Sequence, residues 1–276
     1  MKRKISEIMK KIPAYLLVGI WIVIALTPLI WMVLSSFKGE SNLMTTSFQF
    51  IPKPFSLENY QKLFEKPVFL WVYNSVLVAT INTIEVITVS SMAGYAFAKL
   101  RFFGNKFLFL LLISTMMMPG QVTLAPLYEL ILRFGFLDSI KALVFPPLAA
   151  VWGTFLLKQF IQTLPTELID SGRIDGASEW KIFSHIILPI SKPGIAVLGI
   201  FTFVGHWNDF MWPLVVLKSP SKYTIQLGLS AFRFEHTTAF GPMMAGATLA
   251  ALPMVIIFFL LQRYFMEGLT VGALKG

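Results

Sequence analysis

The chain contains no cysteine, which excludes a disulfide scaffold, a thiolate metal site and a cysteine nucleophile. Charge is almost as scarce. Only 13% of the 276 residues are charged, about half of what a soluble domain carries. Too few charges remain to cover a water-facing surface, so an ordinary cytosolic enzyme is excluded. No Gly-x-x-x-x-Gly-Lys-Ser/Thr stretch occurs, so the chain has no phosphate cradle of its own. The three histidines, His185, His206 and His236, are scattered, and no His/Asp/Glu group has metal-ligand spacing. No basic-aromatic pattern marks a nucleic-acid surface. The net charge of +9 then reads as orientation in a bilayer.

What is abundant is apolar residue. Hydrophobic residues make up 56% of the chain, with 26 Phe and 13 Met, and the mean hydropathy is +0.71. A membrane helix needs about 20 mostly apolar residues. Six runs qualify, at approximately 12–37, 70–98, 107–128, 142–158, 193–217 and 244–262. The first follows a basic cluster, as a signal peptide does, but its apolar run is too long and lacks small residues at the cleavage position. It reads as a retained span. The fourth is short and needs snorkelling lysines, Lys141 and Lys158, at its ends. A β-barrel is excluded, since its strands would alternate over roughly 10-residue segments. The expected fold class is an all-α integral membrane protein of six helices, forming one transmembrane domain over 1–276.

An even number of spans puts both termini on one side. Lysines and arginines number 5, 3, 4 and 2 in 1–11, 99–106, 158–192 and 263–276, against 4, 2 and 3 in 38–69, 129–141 and 218–236. The positive-inside rule therefore assigns both termini to the cytosol of a multi-pass cell-membrane protein, with 38–69 outside.

The longest cytosolic loop, 164–189, joins spans four and five. Pro165 suits a first helical turn, Glu167 complements the helix dipole, and Gly176 can close the helix in the left-handed conformation. Ser178 can cap a second short helix that runs towards Pro189 and Pro193-Gly194. Helical spacing places Leu168, Ser171, Gly172 and Asp175 on one face. Small residues make that face shallow, open to close approach by another protein, with Asp170, Arg173 and Asp175 as rim charges. Spacing alone leaves open a plain amphipathic connector.

The run Asp170-Ser171-Gly172-x-x-Asp175-Gly176-Ala177, followed by Ile186-x-Leu188-Pro189, resembles the cytosolic signature loop of binding-protein-dependent ABC transporter permeases. The family pattern is Glu-Ala-Ala, three residues, Gly, nine residues, Ile-x-Leu-Pro. Here Asp170-Ser171-Gly172 replaces Glu-Ala-Ala, keeping acid-small-small in type. Trp207-Asn208-Asp209-Phe210-Met211-Trp212-Pro213-Leu214 and the tail from Gln262 to Gly276 are similar to the carbohydrate-importing branch, specifically its smaller, maltose-type six-span subunit. The resemblance implies a non-catalytic permease of a sugar importer, for mono- or oligosaccharides, forming half of the translocation path. It implies a homologous second permease, a cytosolic ATPase dimer carrying ATP and Mg²⁺, and an extracytoplasmic sugar-binding protein. This chain would bind no cofactor, no metal and no nucleic acid, and its surroundings are membrane lipid. ATPase docking falls to Glu167, Asp170, Ser171, Gly172, Asp175, Gly176 and Ala177. The Gly268–Gly276 tail is also implied to reach the ATPase pair.

Acids inside spans are costly and are functional candidates by default. Asn208 and Asp209 are candidates for the substrate path, and Asp209 can equally pair with a neighbouring helix. Glu85, beside Asn82 and Thr83, reads as structural hydrogen bonding. Pro119-Gly120, after three methionines, marks a kink or break in span three. Two other functions fit an apolar chain. A stand-alone ion-coupled carrier would show internal repeats and a charged relay, of which Glu85 and Asp209 are the sole members. An intramembrane serine protease would need Ser230, in Gly228-Leu229-Ser230, to converge with His236.

Overall fold

The computed structural model describes residues 2–39, 50–233 and 240–273. Its helices are α1 (Lys2–Ser36), α2 (Glu58–Phe64), α3 (Val68–Lys99), α4 (Asn105–Ser114), α5 (Leu124–Arg133), α6 (Ile140–Val144), α7 (Val151–Gln162), α8 (Glu167–Ile174), α9 (Glu179–Ile182), α10 (Lys192–Trp207), α11 (Met211–Val216), α12 (Ile225–Ser230) and α13 (Phe240–Ala273). Among the described residues the one β-type pairing is an isolated bridge between Lys38 and Phe55.

Three stretches are long and apolar enough to cross a membrane unaided: Lys11–Ser36, Val68–Lys99 and Phe240–Leu260. Three more candidates are bent pairs. Asn105–Met117 and Gly120–Arg133 meet at 96°, Ile140–Leu148 and Val151–Gln162 at 40°, and Glu179–Ile190 and Lys192–Trp207 at 75°. Among the described residues the span count is therefore three to six. The first break follows from Pro119, which cannot donate to the preceding turn. The run expected as one helix over 193–217 is interrupted: α10 stops at Trp207 and α11 restarts at Met211. Asp209 accounts for the restart, because its carboxylate accepts from the Trp212 N–H at 3.4 Å and caps the first turn of α11.

The chain packs as two units. In the unit of residues 1–68 and 229–252, α1 carries exposed apolar side chains around its circumference, Trp21 and Val23 among them, as lipid contact requires. Its end is anchored by the buried Asn59, which donates to the carbonyls of Ser36 at 2.9 Å and Lys38 at 2.6 Å. Phe37 stacks on Phe55 with 4.7 Å between centroids.

In the unit of residues 69–228 and 253–276, two apolar clusters form. One gathers Val78, Ile131, Leu143, Trp212 and Val216, and the other Tyr95, Leu157, Ile169, Ile182 and Leu198. Beside the first cluster a clasp joins the turn after α5 to the segment after α11. Asp138, at φ 53°, accepts from the backbone N–H groups of Lys218 and Ser219, both at 2.9 Å. It also accepts from the Ser219 hydroxyl at 2.6 Å and from Lys222 Nζ at 3.1 Å. These donors, the Ser219 hydroxyl foremost, hold its carboxyl well below the usual carboxylate range. A depressed carboxyl contributes its stability above the ordinary value of about 4 and loses it as pH falls through its own lower one. Asp138→Ala should cost about 2–3 kcal/mol of stability at neutral pH. In thermal unfolding of the detergent-solubilised protein, the gap from wild type should narrow as pH drops below about 4.

Candidate functional site

The cytosolic loop is a helical hairpin built as its sequence dictates. Helix α8 is closed by a Schellman arrangement: the Gly176 N–H reaches the Arg173 carbonyl at 3.0 Å and the Ala177 N–H the Gly172 carbonyl at 2.9 Å. Gly176 sits at φ +77°, a conformation costly for any side chain with a Cβ. Ser178 Oγ then accepts from the Lys181 N–H at 3.4 Å and caps α9. From α9 the chain continues through a π turn, Phe183–Ile187, to Ile190.

The two faces of the hairpin differ from the sequence reading in two respects. Gly172 is buried, and a Cβ there would lie 3.1 Å from Ile186 and 3.2 Å from Ile182. Its small size serves the packing of α8 on the chain's own second helix and offers nothing outward. Glu167, Asp170, Ser171, Asp175 and Gly176 are exposed, and Ala177 is half-buried. Two apolar residues missed by spacing join them: Ile174 is 86% exposed and Trp180 64%. Nothing in local periodicity marks them, since each falls on the outer side of a very short helix.

The inner side of the hairpin is clamped to α3. Glu179 accepts from Arg173 Nε at 2.8 Å and from the Tyr95 hydroxyl at 2.6 Å, and Arg173 also meets Asp170 at 3.4 Å. Hydrogen bonding from Arg173 first, and Tyr95 second, holds the Glu179 carboxyl below its usual range. One turn beyond Tyr95, Lys99 Nζ donates to the Leu164 carbonyl at 2.6 Å. Between them lies a polar groove of about 900 Å³ lined by Lys99, Arg101, Thr166, Asp170, Arg173 and Glu179. The Arg173–Glu179 pair is partly solvated and contributes about 0.2–1 kcal/mol. The buried Tyr95 bond to a carboxylate is the stronger tie. Tyr95→Phe should lower the unfolding free energy by about 1.5–3 kcal/mol, measured as a drop in melting temperature of the purified protein.

Asn208 and Asp209, adjacent in sequence, do not converge. Asn208 donates to the Val204 carbonyl at 3.0 Å and accepts from Gln226 at 3.3 Å. It borders an apolar cavity of about 370 Å³ with Met254 and Phe258. Asp209 instead lines a different cavity with His206 and Thr202. Glu85 has a buried oxygen without a hydrogen-bond partner, in a third cavity with Lys141 and Phe145. His236 lies outside the described residues, as do 274–276 of the tail, whose preceding stretch continues α13.

Straight and broken apolar helices, with a hairpin clamped to one of them, define a polytopic membrane protein. Residues 86–271 match the binding-protein-dependent transport system inner membrane component family, and the chain belongs to it. It is 34% identical over 282 residues to the arabinooligosaccharides transport system permease protein AraQ of Halalkalibacterium halodurans, covering 100% of both chains. It is 30% identical over 284 residues to the maltodextrin transport system permease protein MdxG of Bacillus subtilis, again covering 100% of both. Its fold is shared with a chain of a bacterial ABC transporter involved in the import of the acidic polysaccharide alginate. The TM-score is 0.81 at 18% identity, covering 94% of this chain and 98% of that one. The chain is thus a non-catalytic membrane component, and the protease reading falls with that assignment.

Proposed function

We propose that this chain is one of two permease halves of an ATP-driven sugar importer, and that its 164–189 hairpin docks the ATPase. The sugar class is supported by relatives named for arabinooligosaccharides and maltodextrin. ATP and Mg²⁺ are bound by a separate cytosolic ATPase pair, and a homologous second permease completes the path. An external binding protein delivers the sugar, as membership of a binding-protein-dependent family requires.

The observation that carries the docking role is the division of the hairpin. One side is clamped to α3 through Glu179 and Lys99, and the other presents Ile174 and Trp180 with exposed charges around them. Apolar side chains left bare on a water-facing hairpin are what a protein partner covers. A push on this hairpin reaches α3 through Tyr95 and α10 through the 75° bend, so small displacements are passed to two spans.

The orientation this requires is testable in a cysteine-free chain. Cysteine at Ser56 should react with an impermeant thiol reagent in intact cells, and cysteine at Ser178 only after the membrane is opened. The reverse pattern would place the hairpin outside and end the docking proposal. Reconstitution with the partner subunits and binding protein should give ATP-dependent sugar uptake. Uptake without any ATPase would favour the ion-coupled carrier.

A further inference from the structure

We propose that the cavity beside Trp152 is a water-filled carbohydrate contact on the translocation path, with Trp152 as its stacking platform. This rests on the sugar-import reading above and assigns that reading a place in the chain. Between α6 and α7 the chain passes through a 3-10 turn, Pro146–Ala149, and an extended Ala150, with no side chain capping α7. Pro146 and Pro147 have no N–H to give. On the facing helix a second break separates α10 from α11 at Asn208–Phe210. Irregular backbone inside an apolar span is stable only when buried in protein or lining a wet cavity. Both breaks border the same cavity of about 510 Å³, through Pro146, Pro147 and Ala150 on one side and Asp209 on the other.

The chemistry of its wall suits a sugar. Trp152 and Phe201 meet edge-on at 5.8 Å and 73°, and Trp152 is 39% exposed. The C–H face of a sugar ring packs on such an indole, while its hydroxyls need donors and acceptors at the rim. Asp209 supplies a carboxylate, held in place by backbone N–H groups at the start of α11. Thr202 supplies a hydroxyl. Asn82 donates to the Leu143 carbonyl at 3.2 Å and lies 3.1 Å from His206 Nδ1, which holds the imidazole in place at the cavity wall. The two other cavities described above have walls dominated by apolar side chains, and neither joins an indole face to a carboxylate and an imidazole.

The test uses the assembled transporter, with binding protein and ATPase, in proteoliposomes. Gly205 lines the cavity, and a Cβ there meets nothing within 4 Å, so Gly205→Cys introduces a thiol without crowding. A small charged thiol reagent should label it. A panel of arabino- and malto-oligosaccharides should include at least one that slows labelling several-fold in the presence of ATP. Cysteine at Leu110, exposed on α4, should stay unlabelled as a lipid-facing control. Trp152→Ala should reduce uptake about tenfold or more while the ATPase still co-purifies, and Trp152→Phe should recover part of it. A Gly205→Cys thiol as inert as the one at Leu110 would show the cavity to be dry and overturn the proposal. Labelling that no sugar slows, with Trp152→Ala transporting at the wild-type rate, would overturn the carbohydrate assignment. Absence of sugar uptake in the wild-type complex would instead overturn the import reading, and the carbohydrate assignment with it.

Discussion

A transporter carrying Gly176→Val should insert normally and lose most of its sugar uptake. Gly176 holds φ +77° in the turn that closes α8, and a Cβ there would meet no neighbour. The cost of valine is therefore backbone strain, about 1–2 kcal/mol, and a β-branched residue is the worst choice for that conformation. The bonds from Gly176 to Arg173 and from Ala177 to Gly172 set the angle between α8 and α9. When they loosen, Arg173 no longer meets Glu179, and the exposed Ile174 and Trp180 lose their fixed presentation. A penalty of that size shifts a two-state balance by about 5–30-fold, and uptake should fall accordingly. Gly176→Asn should retain most activity, because asparagine tolerates the left-handed region. Equal uptake by wild type and Gly176→Val would show that the closure of α8 has no role in transport.

A larger effect on folding is expected at Gly94. A Cβ on Gly94 would lie 3.0 Å from the backbone nitrogen of Lys158 and 3.1 Å from Leu157 Cβ, so α3 and α7 touch backbone to backbone. One turn earlier on α3, Ser90 packs against Gly153 of α7. Small residues four apart allow this close approach in a membrane, where the packing itself holds helices together. Gly94→Leu forces the helices apart and opens the cluster around Leu157, Ile161 and Leu198. Overpacking costs about 1–3 kcal/mol where neighbours can yield, and a backbone atom cannot. The variant should fail to accumulate in the membrane, while Gly94→Ala should survive with a melting temperature lowered by several degrees. Wild-type levels and stability for Gly94→Leu would contradict the seam.

Much of this was legible in the residues. The apolar runs mark the helices, Pro119-Gly120 marks the sharpest bend, and Gly176 and Ser178 mark the end of one hairpin helix and the start of the next. Each is a local property, set within four or five residues. What escaped is tertiary. Tyr95 and Glu179 are 84 positions apart, and neither has a sequence feature that pairs it with the other. Ser90 and Gly94 form a seam only because Gly153 lies opposite. Gly172 reads as a gap for a partner because spacing cannot tell which side of a helix its own chain covers. Asn208 and Asp209 read as a pair, yet the break at the end of α10 turns them to different cavities.

Coverage of the hairpin by an ATPase can be read from a cross-link. The chain has no cysteine, so Ile174→Cys provides a single attachment point for a photoactivated cross-linker in membranes holding the whole transporter. One dominant protein adduct is expected, between this chain and the ATP-hydrolysing subunit, and none from a linker at Ser56→Cys. Adducts with lipid or with this chain alone, and none with the ATPase, would contradict it.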